Sequence, residues 1–180
     1  QAERSMSTRF IGSGGKAFGS ELADQRKRTD RAQADLGSTL AEFTLGSRIP
    51  PLAGALDSLP KDSSGLTEQR SKVDAQAMPL EESMKFYSEQ VNRLLSVVKI
   101  MPRVTDNSTV LRRMMVYISV LDAKEFAGLE RAVGAAGIAS KDFSLREVEK
   151  FISLIAKQDF TFQVFDVIAT EELRETRHAM

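Results

Sequence analysis

Between Leu80 and Met101 the residues Leu80, Met84, Tyr87, Val91, Leu94, Val98 and Met101 recur at alternating spacings of four and three. Only an α-helix sets residues at those spacings on one side, and so narrow a stripe has to be covered by another helix. Pro79 suits the first position of such a helix, and Glu81 and Glu82 put negative charge at its positive end. Pro102 stops it. A chain built round this seam folds as a bundle. Composition points the same way, with five prolines, no tryptophan and many good helix formers. The expected fold is all-α: antiparallel helical bundles of long helices joined by short loops. The methionines on the seam read as core filler and not as metal ligands.

With 180 residues, the chain is expected to be one all-helical domain, 1–180, or two packed bundle subdomains sharing a core. Lysine and arginine balance aspartate and glutamate at 25 each, so no global field points to nucleic acid or an acidic membrane surface. There is no cysteine, which removes disulfides and thiolate chemistry, and the single histidine, His178, lies in a charged tail. No nucleophile has a base beside it, so an enzyme is not expected. No apolar run approaches the roughly 18 residues that cross a bilayer. The chain opens at Gln1 without a methionine, and both ends read as helical, so it is expected to be excised from a longer receptor.

In order, a first helix runs to about residue 11 and stops at Gly12-Ser-Gly-Gly15. That glycine run is no phosphate loop, because Phe10 and Ala17 fall where Gly and Ser or Thr are required. A long helix follows from Ser20, its N-cap, to about Leu45. Its middle, Leu22 to Asp30, shares the pattern Leu, acid, Gln-Arg, base, Asp with Leu66 to Asp74. Two readings are open for this repeat: a solvated helix face, or a buried framework of Arg-Asp pairs between helices. A short helix lies between Gly46 and Pro60, a polar loop spans Lys61 to Gly65, and a helix runs from Leu66 to about Gln76. After the seam helix, another extends from about Thr109 to Ala136, with a core stripe of Leu111, Met115, Ile118, Leu121, Leu129, Ala132 and Ala136. Gly137 to Asp142 should form a loop. Ser144-Leu-Arg-Glu147 is a capping box, opening a last helix that runs to the C-terminus through Phe151, Ile155, Phe162, Phe165 and Ile168.

One stretch of the second long helix is unusual. Around Arg131, the positions one turn away on either side are Ala127, Gly128, Gly134 and Ala135. These share its face, and each helical glycine costs roughly 1 kcal/mol relative to alanine. That cost is easier to understand if something packs close to this face, either a neighbouring helix or a small ligand. A neighbouring helix would give a tight crossing with Arg131 paired to a carboxylate, and a small ligand would make an anion pocket. The N-terminus echoes the stretch: Glu3-Arg4, Ile11 and Ser13 align with Glu130-Arg131, Ile138 and Ser140 at one offset. Around Arg4 the small neighbours carry hydroxyls, namely Ser5, Ser7 and Thr8. Two related arginines could converge on one anion, with chance similarity as the alternative.

With both Glu-Arg stretches in hand, the chain resembles the nitrate- and nitrite-sensing (NIT) domain of bacterial chemoreceptors, histidine kinases and antitermination regulators. The likeness rests on Gln1-Ala-Glu-Arg-Ser5 with Phe10-Ile-Gly-Ser13, on Leu22, Gln25-Arg26 and Thr29-Asp30, on Arg70 with Val73-Asp74, and on Ala123-Lys-Glu with Gly128-Leu-Glu-Arg-Ala132. The resemblance implies an all-helical sensor enclosing a small oxyanion, with Arg4 and Arg131 holding it. A guanidinium fork can give two parallel bonds to nitrate. Ser5, Ser7 and Thr8 hydroxyls would serve its third oxygen, Gly128 would open the dent, and Glu3 or Glu130 would balance the second positive charge. No cofactor is implied.

The expected function is therefore a sensor of nitrate or nitrite, in a chemoreceptor, that passes a helix rearrangement to its output. Its partners would be the anion, a second copy in a homodimer, and covalently linked transmembrane and signalling modules, with no nucleic acid. The expected location is periplasmic, with a cytoplasmic alternative. Two rival functions stand beside it: a structural or partner-binding bundle with arginines locked in ion pairs, and a sensor of another small anion.

Overall fold

The computed structural model describes residues 1–42, 49–57, 59, 64–140 and 143–178. All regular structure among them is helical. The order is α1 (Ala2–Gly12), α2 (Gly19–Glu42), α3 (Pro50–Asp57), α4 (Ser64–Asp74), α5 (Leu80–Ile100), a 3-10 turn (Met101–Val104), α6 (Ser108–Ser140), α7 (Leu145–Ile168) and α8 (Glu171–His178). The all-α expectation holds. Contacts divide the chain into two compact units, Gln1–Val97 and Val98–Met180.

In the first unit α1 lies against α2. The α1–α2 connection turns through Gly14 and Gly15, at φ of 62° and 75°, where a side chain would be strained. Leu22, Val73 and Met78 form the apolar core, with Met6, Phe10 and Ile11 packed on it. On α5, Tyr87 and Ser83 are buried, Leu80, Met84 and Val91 are half-buried, and Leu94 is exposed. The seam is thus covered most completely at Tyr87 and not along its whole length.

In the second unit α6 and α7 pack along one another, and Val116, Phe165 and Ala169 form a core with Ile168 against it. The buried residues of α6 are Val116, Ser119, Ala123, Glu125, Ala132, Val133 and Gly137. Leu111 and Met115 are exposed, so the core side is turned about one position from the expected stripe. Apolar side chains occupy more than one face of α6, and periodicity alone could not say which one α7 covers. Gln158 of α7 bonds the Glu130 carboxylate, and Arg112 of α6 donates to the Ile168 carbonyl at 2.6 Å and the Ala169 carbonyl at 3.3 Å.

Several boundaries differ from expectation. Ser20 is inside α2 and bonds Glu21, so it is no N-cap. The end of that helix near Leu45 and most of the Lys61 to Gly65 loop lie outside the described residues. α6 continues to Ser140, so Gly137 to Ser140 is helix; only 141 and 142 of the expected loop remain, and they too lie outside. Gly137 lies within α6 with a ring packed against it: a Cβ there would stand 2.1 Å from Phe143. The last helix does not run through. It breaks at Ala169, which is extended, and α8 restarts with Arg177 pairing Asp166 at 2.9 Å.

Candidate functional site

Four residues of α1 are fully buried, and all four are polar: Glu3, Arg4, Ser7 and Thr8. Arg4 and Glu3 are 2 % and 3 % exposed. Helices normally bury apolar faces, because a buried polar group costs free energy unless it is bonded. These four lie on one side of the helix at spacings of one, three and four.

The partners come from α2, α4 and α5. Arg70 of α4 donates to both Glu3 oxygens, at 2.7 and 2.8 Å, in the parallel fork that suits a carboxylate. The Tyr87 hydroxyl donates to Glu3 Oε1 at 3.0 Å and accepts from Ser7 Oγ at 3.3 Å. Arg4 Nη1 donates to Ser88 Oγ at 2.9 Å, and Ser88 donates onward to the Met84 carbonyl. Thr8 turns back to the Arg4 carbonyl at 2.9 Å. Burial works to raise the Glu3 carboxyl, but the Arg70 bonds, with Thr29, the Arg70 charge and Tyr87, overcome it and leave the group below its ordinary value. Burial first, then the nearby Glu3 charge, pushes the Tyr87 phenol up to about 12. The Arg70 guanidinium is held still more firmly charged, by its Glu3 bonds against burial and then by Asp30.

Behind this cluster stands the repeat of Leu22 to Asp30 and Leu66 to Asp74. Arg26 of the first copy pairs with Asp74 of the second at 2.8 Å, and Arg70 of the second pairs with Asp30 of the first at 2.7 Å. Both arginine side chains are largely buried, at 15 % and 14 % exposed, while both aspartates are 53 % exposed. The repeat is therefore an interhelical framework and not a solvated face.

The expected ligand residues are placed as follows. Arg4, Ser7 and Thr8 are brought together on the buried face of α1. Ser5 is exposed, one position round the helix. Arg131 is exposed on α6, with no hydrogen bond or ion pair among the described residues, and Gly128 is half-buried. The tight-crossing reading is half right. A Cβ at Gly134 would stand 3.2 Å from the Phe151 ring of α7, so a neighbouring helix does account for that glycine. The carboxylate partner expected for Arg131 is not found there. The two Glu-Arg stretches agree at the acid and part at the base: Glu3 and Glu130 each bond a side chain of another helix, but Arg4 is buried and Arg131 is not.

Three contributors escaped the expectation. Arg70 stands in the repeat, but nothing in the repeat shows that it reaches α1. Tyr87 falls on the apolar seam, where the periodicity gives no sign of its hydroxyl's role. Ser88 carried no signal of its own, since a single serine on a helix face is ordinary.

Among the described residues no helix is long and apolar enough to cross a membrane. The sequence model of the family described as nitrate and nitrite sensing (NIT) matches residues 1–180. A nitrate regulatory protein of Klebsiella oxytoca is 29 % identical over 175 residues, which are 94 % of this chain and 42 % of that protein. The solved structure of the NasR transcription antiterminator superposes with a TM-score of 0.84 at 25 % identity, covering 95 % of this chain and 46 % of that one. The chain thus spans a little under half the length of both relatives. A match from the first residue to the last, carried by an all-helical chain with its polar helix face turned inward, places the chain in the nitrate and nitrite sensing family.

Proposed function

We propose that the chain is the anion-binding sensor of a larger regulatory protein, and that it takes nitrate or nitrite through Arg4 and Arg131. The observation that carries this is the buried polar face of α1. Arg4 presents fixed donors in a site from which water is excluded, where hydrogen bonds to an anion are strongest. Ser7 and Thr8 stand on the same face, with hydroxyls able to rotate toward an oxygen. Glu3, committed to Arg70 and Tyr87, fixes the start of α1 and with it the Arg4 side chain.

Ser5, exposed on α1, is the weakest of the proposed ligands. Gly128 contributes space and no donor other than its main chain. Anion binding would bias the packing of the helices that carry the two arginines, and that bias would pass to an output module. The names of the two relatives support a regulator of gene expression as the parent protein over the chemoreceptor expected from the resemblance. In that reading the domain works in the cytoplasm, and any contact with nucleic acid belongs to another module, since this one has no net charge.

The test is thermal melting in nitrate, nitrite, sulfate and acetate at matched ionic strength, against chloride. A ligand at 100 times its dissociation constant stabilises by about 2.7 kcal/mol, several degrees for a domain of this size. Nitrate or nitrite should raise the melting temperature, and Arg4→Ala and Arg131→Ala should each remove the shift while the variants stay folded. A cooperative melt that no anion moves would overturn the proposal.

A further inference from the structure

Nothing in the local sequence stops a helix between Phe165 and Arg174. The run Phe165-Asp-Val-Ile-Ala-Thr-Glu-Glu-Leu-Arg174 holds neither glycine nor proline. α7 nevertheless ends at Ile168, Ala169 is extended at φ −71° and ψ 154°, and α8 starts afresh at Glu171. Burial does little to hold α8 in its new direction. Its one apolar side chain, Leu173, is exposed beside a hollow of about 680 Å³ that Val116, Phe165 and Ile168 also line.

Arginines hold it instead, and they do so on particular atoms. In an unbroken helix the carbonyls of residues 166 to 169 accept from the N–H groups of residues 170 to 173. Here Arg174 donates to the Asp166 carbonyl at 2.8 Å, and Arg112 of α6 donates to those of Ile168 and Ala169 at 2.6 and 3.3 Å. Side chains have taken the acceptors that a continuous helix needs. Arg177 closes the bend, pairing with the Asp166 carboxylate at 2.9 Å and lying 5.2 Å from the centre of the Phe162 ring. A straight helix would put positions 166 and 177 about 16.5 Å apart along its axis, too far for that pair. The clasp leaves one group unsatisfied: Asp166 Oδ1 is buried without a hydrogen bond among the described residues, a cost that the bent form alone carries.

We propose that the α7–α8 junction is a two-state switch worked by Arg112. With the arginines on the carbonyls, the helix is broken and α8 turns back. With them withdrawn, the same carbonyls bond the N–H groups of residues 170 to 173, and α7 and α8 become one rod. The two forms compete for the same acceptors, so each excludes the other. Arg112 is the lever because it comes from α6, whereas Arg174 and Arg177 belong to α8 itself. A slide of α6 along α7 by two residues' rise, about 3 Å, carries its guanidinium off both carbonyls. A small change of packing thereby becomes a change in the direction of α8. The inference stands apart from anion binding, since it uses none of the residues assigned to it.

The test uses the whole 180-residue chain. It has no cysteine, so spin labels can be placed at Asp159→Cys and Glu175→Cys, both exposed positions. A straight helix holds these positions about 24 Å apart. With no other change, pulsed electron resonance should give a shorter distance, because α8 turns back. Arg112→Ala with Arg174→Ala should add a population near that straight-helix distance. The amides of residues 170 to 173 should then exchange about tenfold more slowly, being bonded within the helix. Arg112→Ala alone should give the same population in smaller amount. Thr170→Pro follows an extended residue, as proline prefers, and should abolish both changes while leaving the bent form intact. Distances unmoved by the arginine variants, or a long-distance population that survives Thr170→Pro, would overturn the proposal. So would faster exchange throughout α8 with no slowing at residues 170 to 173, which would make the arginines mere anchors.

Discussion

Arg26 and Arg70 each reach the other's main-chain carbonyl, both at 3.5 Å, and each pairs with the aspartate that belongs to the other's sequence copy. The two Gln-Arg segments are thus related by a local two-fold, and each arginine ties α2 to α4. Their surroundings differ in one respect. Arg70 also holds the buried Glu3 carboxylate, whereas the Asp74 that Arg26 holds is half in water.

That difference separates the effects of truncating them. Arg70→Ala leaves a carboxylate buried without its cation and should cost about 3–5 kcal/mol. Arg26→Ala strands only a solvated aspartate and should cost nearer 1 kcal/mol, mostly lost packing. Urea melts of the two variants decide it. Adding Glu3→Gln to Arg70→Ala should recover part of the loss, because the orphaned charge is then gone. Equal costs for the two single changes would show that Glu3 is not what sets Arg70 apart.

Glu3 also fixes an acid limit for the first unit. Its ordinary value is 4.5, and in the folded chain it lies lower. Between the two values the unfolded chain takes up a proton that the folded chain refuses, so stability falls as pH drops through that window and is fully present above it. Glu147, also lowered, by its Ser144 side-chain and backbone bonds, adds a smaller effect of the same sign at an exposed site. Melting temperature should therefore decline from about pH 5 downward, and Glu3→Gln should flatten that decline. An unchanged slope in the variant would remove Glu3 as its source.

The start of α7 can be tested alone. Ser144 accepts from the Glu147 main chain at 3.3 Å, and Glu147 returns a bond from the Ser144 main chain at 2.9 Å. Ser144→Ala breaks this box and should cost about 1 kcal/mol, while Ser144→Asp should keep most of the cap. Hydrogen exchange should quicken in the first turn of α7 in the alanine variant alone. Uniform exchange along the helix would mean that packing on α6, not the cap, holds that end.

Helix order up to α7 and the capping box are legible because each rests on near-neighbour chemistry: periodic apolar residues, prolines at helix starts, and Ser144 three before Glu147. The break at Ala169 is not. Residues 169–170 carry neither glycine nor proline, and what ends α7 is the tertiary clasp of Arg112 on its last carbonyls with Arg177 returning to Asp166. The buried side of α6 differs from the expected stripe in its first half, because Leu111 and Met115 offer as good a stripe as the one that is buried, while Ala132 lies on both. At the candidate site the sequence singled out Arg4, Ser7 and Thr8, which do share a buried face. It missed Arg70 and Tyr87 because their contacts with α1 join residues more than 60 positions apart, and no local pattern registers such pairs.

Arg131 offers the sharpest separation of a structural role from a binding one. Its guanidinium is exposed and bonded to nothing among the described residues. If the arginine were a strut between helices, truncation would leave a carboxylate unpaired and cost several kcal/mol. As an exposed side chain on a helix, Arg131→Ala should instead change stability by no more than about 0.5 kcal/mol, helped slightly by the better helix propensity of alanine. The same change should weaken nitrate or nitrite binding tenfold or more, the loss of one charge-assisted bond of about 1.5–3 kcal/mol. Calorimetric titration and a denaturant melt on one preparation measure both numbers. Full affinity with unchanged stability would remove Arg131 from the site, and a large loss of stability would return it to the framework of ion pairs.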